Sequence, residues 1–138
     1  MTVRTFFLLL FALCAVAAES QVVWTEPALP TPDDQVTLYY DASQGNGELA
    51  GVIPVYIHTG VITSNSGGPS DWQNVPAALG TADPNAVMEY AGGTLHTFDL
   101  NGLRIAEYYG IDAGEVVESL AMVFRNGPGT LVGRNADG

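Results

Sequence analysis

The chain has 138 residues, of which 47% are hydrophobic and 14% are charged, and its net charge is −11. This composition excludes a solvated disordered chain, which needs low hydrophobicity and many charges. The sequence has no lysine and only four basic residues, which argues against binding to nucleic acids or to anionic membranes, because both need a cationic surface. The 16 glycines and 8 prolines indicate turns and strands, so the composition predicts an acidic, β-rich domain.

Residues 1–18 have the pattern of a secretory signal peptide. Arg4 supplies a positive charge, an apolar run covers residues 5–17, and the small residues at its end fit cleavage after Ala17 or Ala18. A buried N-terminal helix is the alternative, but it does not explain the charge, the length and the small residues together. The sequence therefore predicts a protein that is secreted or held at the cell surface, with no membrane span after cleavage.

The single cysteine, Cys14, lies inside this segment. A lipidated cysteine is an alternative, but the bulky Leu13 directly before it fits a lipoprotein signal poorly. Cleavage would remove the thiol, so we expect the mature domain, residues 19–138, to have no disulfide and to depend on its hydrophobic core.

Strands are predicted along the first half of the mature domain. Residues 22–25 form a short edge strand, because three prolines interrupt the segment 26–34 that follows. Residues 35–41 alternate apolar and polar side chains, which indicates a half-buried strand. After a loop rich in turn formers, residues 52–63 return to strand.

The second half is predicted to contain a hairpin, a short helix and a long strand. Residues 87–90 and 94–100 are β-prone runs that a glycine-rich turn separates. Residues 103–109 are predicted to form one or two helical turns that Gly110 ends in a left-handed conformation. Residues 119–125 alternate again and form the last long strand.

The C-terminal residues predict an incomplete fold. Several short strands with turns between them favour an all-β, antiparallel sandwich, with a small barrel as the alternative. A further short strand begins at residues 130–132, but the sequence stops on the turn-like residues 135–138. We therefore expect a fragment that lacks its closing strand, whose absence would leave an exposed sheet edge.

Catalytic motifs are absent from the sequence, and metal sites are weakly indicated. There is no Gly-x-Ser-x-Gly elbow, phosphate-binding glycine loop or His-Glu-x-x-His motif. His58 and His96 could meet on adjacent strands, but a zinc site would still need carboxylate partners. Asp33, Asp34, Asp41 and Glu48 lie in or beside loops and could bind calcium, although caps and turns are the simpler role for them.

Aromatic side chains give the clearer functional prediction. Trp72 follows a polar loop, Tyr56 and His58 lie opposite the aliphatic face of their strand, and Tyr39 does the same on its own strand. Exposed flat rings can stack on the apolar face of a pyranose while neighbouring polar groups bind its hydroxyls. In the alternative interpretation, loops cover the second face and Trp72 plugs the end of the sandwich.

Four stretches carry a resemblance to a known family: QVTLYYDASQGNGELAG (35–51), VYIHTGVIT (55–63), SDW (70–72) and the segment 105–138. They resemble the immunoglobulin-like, early-set module at the N-terminal side of secreted bacterial α-amylase-family enzymes, which also occurs in other cell-surface proteins. The positions that match the family's motifs are His58, Thr59, Gly60, Trp72, Tyr108, Tyr109, Phe124, Arg125 and Asn126. For Arg125, an ion pair with an acid such as Asp99 or Glu107 is the alternative to contact with sugar.

The resemblance implies a non-catalytic module that binds starch-like α-glucans or spaces other domains. It also implies a catalytic barrel and a sorting domain further along the polypeptide, and one more strand after Gly138. The two leading hypotheses are therefore an α-glucan-binding accessory module and a structural or adhesive module that accepts a strand from a neighbour. An independent hydrolase is the third hypothesis. It ranks last because glycoside hydrolysis needs two carboxyl groups on either side of a sugar-sized cleft, which a small sandwich rarely forms.

Overall fold

The polypeptide from residue 21 to residue 134 is described by a computed structural model and folds into antiparallel strands and one short α-helix. The strands are β1 (Val23–Glu26), β2 (Thr37–Asp41), β3 (Tyr56–Thr63), β4 (Glu89–Gly92), β5 (Leu95–Phe98), β6 (Val117–Arg125) and β7 (Val132–Gly133). The helix α1 spans Ile105–Tyr109, and two 3-10 turns span Pro84–Ala86 and Leu100–Gly102. The predicted signal peptide, Cys14 and residues 135–138 lie outside the described residues.

The strands form two antiparallel sheets. The four-stranded sheet has the order β1-β2-β5-β4, and the three-stranded sheet has the order β3-β6-β7. Side chains from both sheets share one buried core, where the ring of Tyr40 on β2 stacks on that of Phe124 on β6 with centroids 3.9 Å apart. The prediction of an all-β, antiparallel fold with one short helix is confirmed, and the two sheets are compatible with a sandwich.

Alternation along β2 explains how the core forms. Leu38 and Tyr40 are buried, whereas Thr37, Tyr39 and Asp41 lie on the outer face and are half-buried. Burying an apolar side chain of this size contributes about 1.5–3 kcal/mol, so the alternating residues fix which face of the strand turns inward.

The short helix forms within the predicted range 103–109, but it begins at Ile105 because Leu103 and Arg104 are extended. The Glu107 carboxylate accepts the backbone N–H of Arg104 at 3.1 Å, which satisfies a free donor at the start of the helix. Gly110 ends the helix with φ 63° and ψ 47°, a conformation that glycine adopts without steric cost. The Tyr109 hydroxyl lies 2.6 Å from Thr59 Oγ1, and this contact fixes the helix to β3.

Strand β3 begins later than predicted and is covered on its outer face. The strand starts at Tyr56 because Pro54 has no N–H to donate to a ladder. Residues 64–88, which we call the covering segment, then pair in places with the edge of β3 that faces away from β6 and contact the outer face of the three-stranded sheet at Ala77 and Thr81. Val61 and Gln73 exchange two backbone hydrogen bonds of 3.0 and 2.8 Å, and the Met88 N–H donates to the Val55 carbonyl at 2.9 Å.

Candidate functional site

A cleft of about 900 Å³ lies between the edges of the two sheets. We call it the edge cleft; its walls come from β1, from the end of β6 with the turn after it, and from the covering segment. Its apolar lining includes Val22, Val23, Leu79, Met122 and Val123, and its polar lining consists of His58, Arg125 and Arg134. No carboxylate from the described residues lines it.

The edge cleft lies beside a stretch of β6 that has no strand partner within residues 21–134. Only Val132 and Gly133 pair with β6, opposite Arg125 and Phe124. Along the rest of β6, no strand of residues 21–134 pairs with the edge that faces away from β3. Alternate residues of an antiparallel strand point their N–H and C=O groups to the same side. Phe124 faces β7, so the backbone groups of Leu120 and Met122 point to this same edge of β6.

His58 and Trp72, predicted from the sequence as ligand contacts, meet at this cleft. Their rings stack with centroids 5.5 Å apart and planes inclined by 26°. His58 Nδ1 lies 3.0 Å from the Ala77 carbonyl, so the proton sits on Nδ1 and Nε2 keeps a free lone pair. Among the described residues the Trp72 indole N–H has no acceptor, and it is not buried. The pair therefore offers an aromatic face, one donor and one acceptor.

The environment of His58 favours the neutral imidazole. Partial burial lowers its pKa from the ordinary value of 6.5, the hydrogen bond to Ala77 opposes this shift, and the nearby Arg125 charge lowers the pKa further. The free Nε2 lone pair is consequently retained near neutral pH.

Tyr56 lies next to this pair but is not an exposed ring. Only 9% of the residue is accessible, because the Arg125 guanidinium lies 5.4 Å from the ring centroid and the 127–129 turn packs beside it. Its burial corresponds to the alternative interpretation of the sequence, in which loops cover the second face. Tyr56 therefore supports the wall of the cleft and has little surface to offer a ligand.

Arg125 has no acidic partner among the described residues, so the alternative of an ion pair with Asp99 or Glu107 is wrong. Glu107 pairs instead with Arg104 at 2.6 Å. Arg125 is 1% exposed and donates to the backbone carbonyls of Asn126, Gly127 and Thr81. It thereby fastens the covering segment to the end of β6, while its Nε has no partner in the described part of the chain.

Tyr39, the fourth predicted contact, lies on the outer face of the four-stranded sheet, far from the others in the fold. Trp24 on β1 is its direct neighbour across the strands, with parallel rings whose centroids are 5.2 Å apart. Sequence reasoning missed Trp24. Its place in the predicted edge strand, one residue after the inward Val23, was the signal that could have identified it.

The predicted calcium ligands are not brought together. The Asp34 carboxylate accepts the N–H and hydroxyl of Thr31, and the Asp41 carboxylate accepts the hydroxyls of Ser43 and Thr94. These hydrogen bonds lower the pKa of both aspartates. Asp33 is exposed beside this turn, and residues 21–134 contain no cluster of three or more metal-binding side chains. Asp34 and Asp41 thus act as turn residues, while calcium binding stays a prediction.

No protein-family model matches the chain, and no curated protein matches it. None of the helices within residues 21–134 combines the length and the hydrophobicity needed to cross a bilayer.

Proposed function

We propose that the protein is a non-catalytic, immunoglobulin-like accessory module of a secreted carbohydrate-active protein, and that it binds an α-glucan in the edge cleft. The strand order supports the fold proposal: β1-β2-β5-β4 and β3-β6-β7 correspond to the ABED and CFG sheets of a constant-type immunoglobulin domain. In this comparison β7 takes the place of strand G, beside β6 at the edge of the three-stranded sheet.

The stacked His58–Trp72 pair in the lining of the cleft carries the functional proposal. Ligand sites are typically concave, 300–1,000 Å³ in volume and mostly apolar, with a few polar groups that fix orientation. The edge cleft, at about 900 Å³, has this character. A pyranose can place its apolar face on Trp72 while its hydroxyls bind the indole N–H and the His58 Nε2.

The composition of the cleft supports binding without bond cleavage. Hydrolysis of a glycoside commonly uses two carboxyl groups on either side of the scissile bond. The described walls of the edge cleft carry none, so we assign the module a positioning role and place any catalysis in other domains of the same polypeptide.

Retention by soluble starch and glycogen, with cellulose for comparison, tests the proposal. The wild-type protein should be retained by the α-glucans, and Trp72→Ala should weaken the affinity about tenfold. Leu103→Ala, which removes an exposed side chain outside the cleft, is the matched control. A folded protein that no α-glucan retains, or equal affinities for Trp72→Ala and Leu103→Ala, would reject the proposal.

The edge of β6 that has no strand partner within residues 21–134, which we call the open edge, favours a second candidate function, a structural or adhesive module. An unpaired edge can accept an extended strand from another chain through main-chain hydrogen bonds. Analytical ultracentrifugation over a range of concentrations measures such association. If this function holds, Leu120→Pro, which removes an N–H at the open edge, should abolish dimers or polymers that the wild type forms.

A further inference from the structure

The outer face of the four-stranded sheet carries an aromatic pair that is separate from the edge cleft. We propose that this face is a second glycan-binding site, centred on Trp24 and Tyr39, and that it takes sugar chains without acidic groups. The inference shares only its ligand class with the proposed function, since the two sites use different sheets and different aromatic residues.

The two rings are held in place before any ligand arrives. Trp24 and Tyr39 are paired across β1 and β2, and their planes differ by only 3°. The Tyr39 hydroxyl donates to Glu26 Oε2 at 2.9 Å, and this hydrogen bond raises the pKa of Tyr39. Rings that are already ordered lose little conformational entropy on binding, which favours their use as a contact surface.

Polar groups continue the site across the sheet. Tyr39 pairs with Thr97 on β5, which in turn pairs with Glu89 on β4, so one row of side chains crosses all four strands. With neighbouring strands about 4.8 Å apart, the row is about 14 Å long. A concavity of about 330 Å³ adjoins its far end, with Thr37, Glu89, Thr97, Asp99 and Asn101 among its lining residues.

The order of side chains along the row, with aromatic rings at one end and polar groups at the other, matches the chemistry of a saccharide chain. The rings can contact apolar sugar faces, and the hydroxyls, carboxylates and amide of the concavity can bind sugar hydroxyls. None of the side chains that form the row or line the concavity is a lysine or an arginine, whereas Glu89 and Asp99 are acidic, as is Glu26, which accepts the Tyr39 hydroxyl. The negative charge of these groups would repel uronic acids and sulfated sugars, and it would favour amine-bearing chains or leave neutral ones unaffected.

The two proposed sites can be measured separately by tryptophan fluorescence. The chain has two tryptophans, so Trp72→Phe leaves Trp24 as the sole fluorescent indole, and Trp24→Phe leaves Trp72. Titration of each variant with soluble starch, a glucosamine polymer and polygalacturonate reports on each site by itself. In Trp72→Phe, we expect the neutral or the amine-bearing chain to change Trp24 emission, and polygalacturonate to leave it unchanged.

The variant Tyr39→Ala in the Trp72→Phe background should weaken that response about tenfold, while Tyr108→Phe, a tyrosine of α1, should leave it as it was. The inference is overturned if neither non-acidic chain changes Trp24 emission, or if polygalacturonate changes it equally. A silent Trp72 in Trp24→Phe, with a responsive Trp24 in Trp72→Phe, would instead reject the edge-cleft proposal alone.

Discussion

The outer faces of the two sheets differ although their strands follow the same pattern. Tyr39 on β2 and Tyr56 on β3 both lie opposite the core-facing residues of an alternating strand. Tyr39 is half-buried beside Trp24, whereas Tyr56 is 9% exposed beneath Arg125 and the 127–129 turn. The comparison shows that alternation identifies the side of a strand on which a residue lies, and that a distant segment decides whether that side meets solvent.

Three contacts hold the covering segment on the three-stranded sheet. Gln73 pairs with Val61, the Ala77 carbonyl binds His58, and the Thr81 carbonyl binds Arg125. Gly60 makes this approach possible, because a Cβ at that position would lie 2.9 Å from a Val75 methyl and 3.3 Å from Trp72 Cβ. The four-stranded sheet has no equivalent cover within residues 21–134.

Removing the Arg125 guanidinium should have the largest effect on the difference between the covered and the uncovered sheet face. Arg125→Met would leave the carbonyls of Asn126, Gly127 and Thr81 without their buried donor, so we expect the free energy of unfolding to fall by about 2–4 kcal/mol. Urea unfolding measures the loss. Proteolysis should also cut the covering segment sooner in this variant.

The control for that prediction is Arg104→Met, which removes an exposed cation paired with Glu107. Exposed ion pairs contribute about 0–1 kcal/mol, so this variant should remain close to the wild type. Equal stabilities for the Arg104 and Arg125 variants would show that Arg125 does not fasten the covering segment.

A methyl group at Gly60 should affect one face and leave the other intact. Gly60→Ala requires Val75 and Trp72 to move outward, and overpacking of this kind costs about 1–3 kcal/mol. Glucan binding at Trp72 should weaken, while the emission response of Trp24 stays unchanged. A crystal structure of the variant with Trp72 unmoved would contradict this expectation.

Much of the fold could be predicted from the sequence because its determinants are local. Alternation over 35–41, the turn between β4 and β5, and Gly110 each act within a few residues, and the structure confirms all three predicted elements. The ion pair suggested for Arg125 is wrong because its acceptors are backbone carbonyls, which carry no signature in the sequence. The Trp24–Tyr39 pair depends on a register between strands that residues 27–36 separate, so neither residue alone reveals it.

A smaller effect is expected where the helix meets β3. Tyr109→Phe removes a buried hydroxyl that lies 2.6 Å from Thr59 Oγ1, but Thr59 can still donate to the Ala121 carbonyl at 2.8 Å. We expect a loss of about 1 kcal/mol in the free energy of unfolding, measured by urea titration. Thr59→Val, which removes both contacts, should cost more, and the reverse order would contradict the assigned hydrogen bonds.

The smallest effect concerns pH and arises on the covered face. Because burial lowers the pKa of His58 in the folded state below 6.5, the unfolded chain binds the proton more readily. The stability that the neutral ring contributes is therefore fully present above pH 6.5 and is lost as the pH falls through the folded-state value. His58→Gln should reduce the change in the free energy of unfolding, measured with urea, between pH 7.5 and about pH 5. Part of that change should remain, because burial also lowers the pKa of His96.

Protonation of His58 also removes the Nε2 lone pair that the edge cleft would offer to a sugar hydroxyl. Glucan affinity at Trp72 should thus decline over the same pH range, whereas the Trp24 site, which has no histidine in its row, should keep its affinity until its carboxylates titrate. Parallel pH profiles at the two tryptophans would show that His58 takes no part in binding, because a general loss of fold affects both indoles equally.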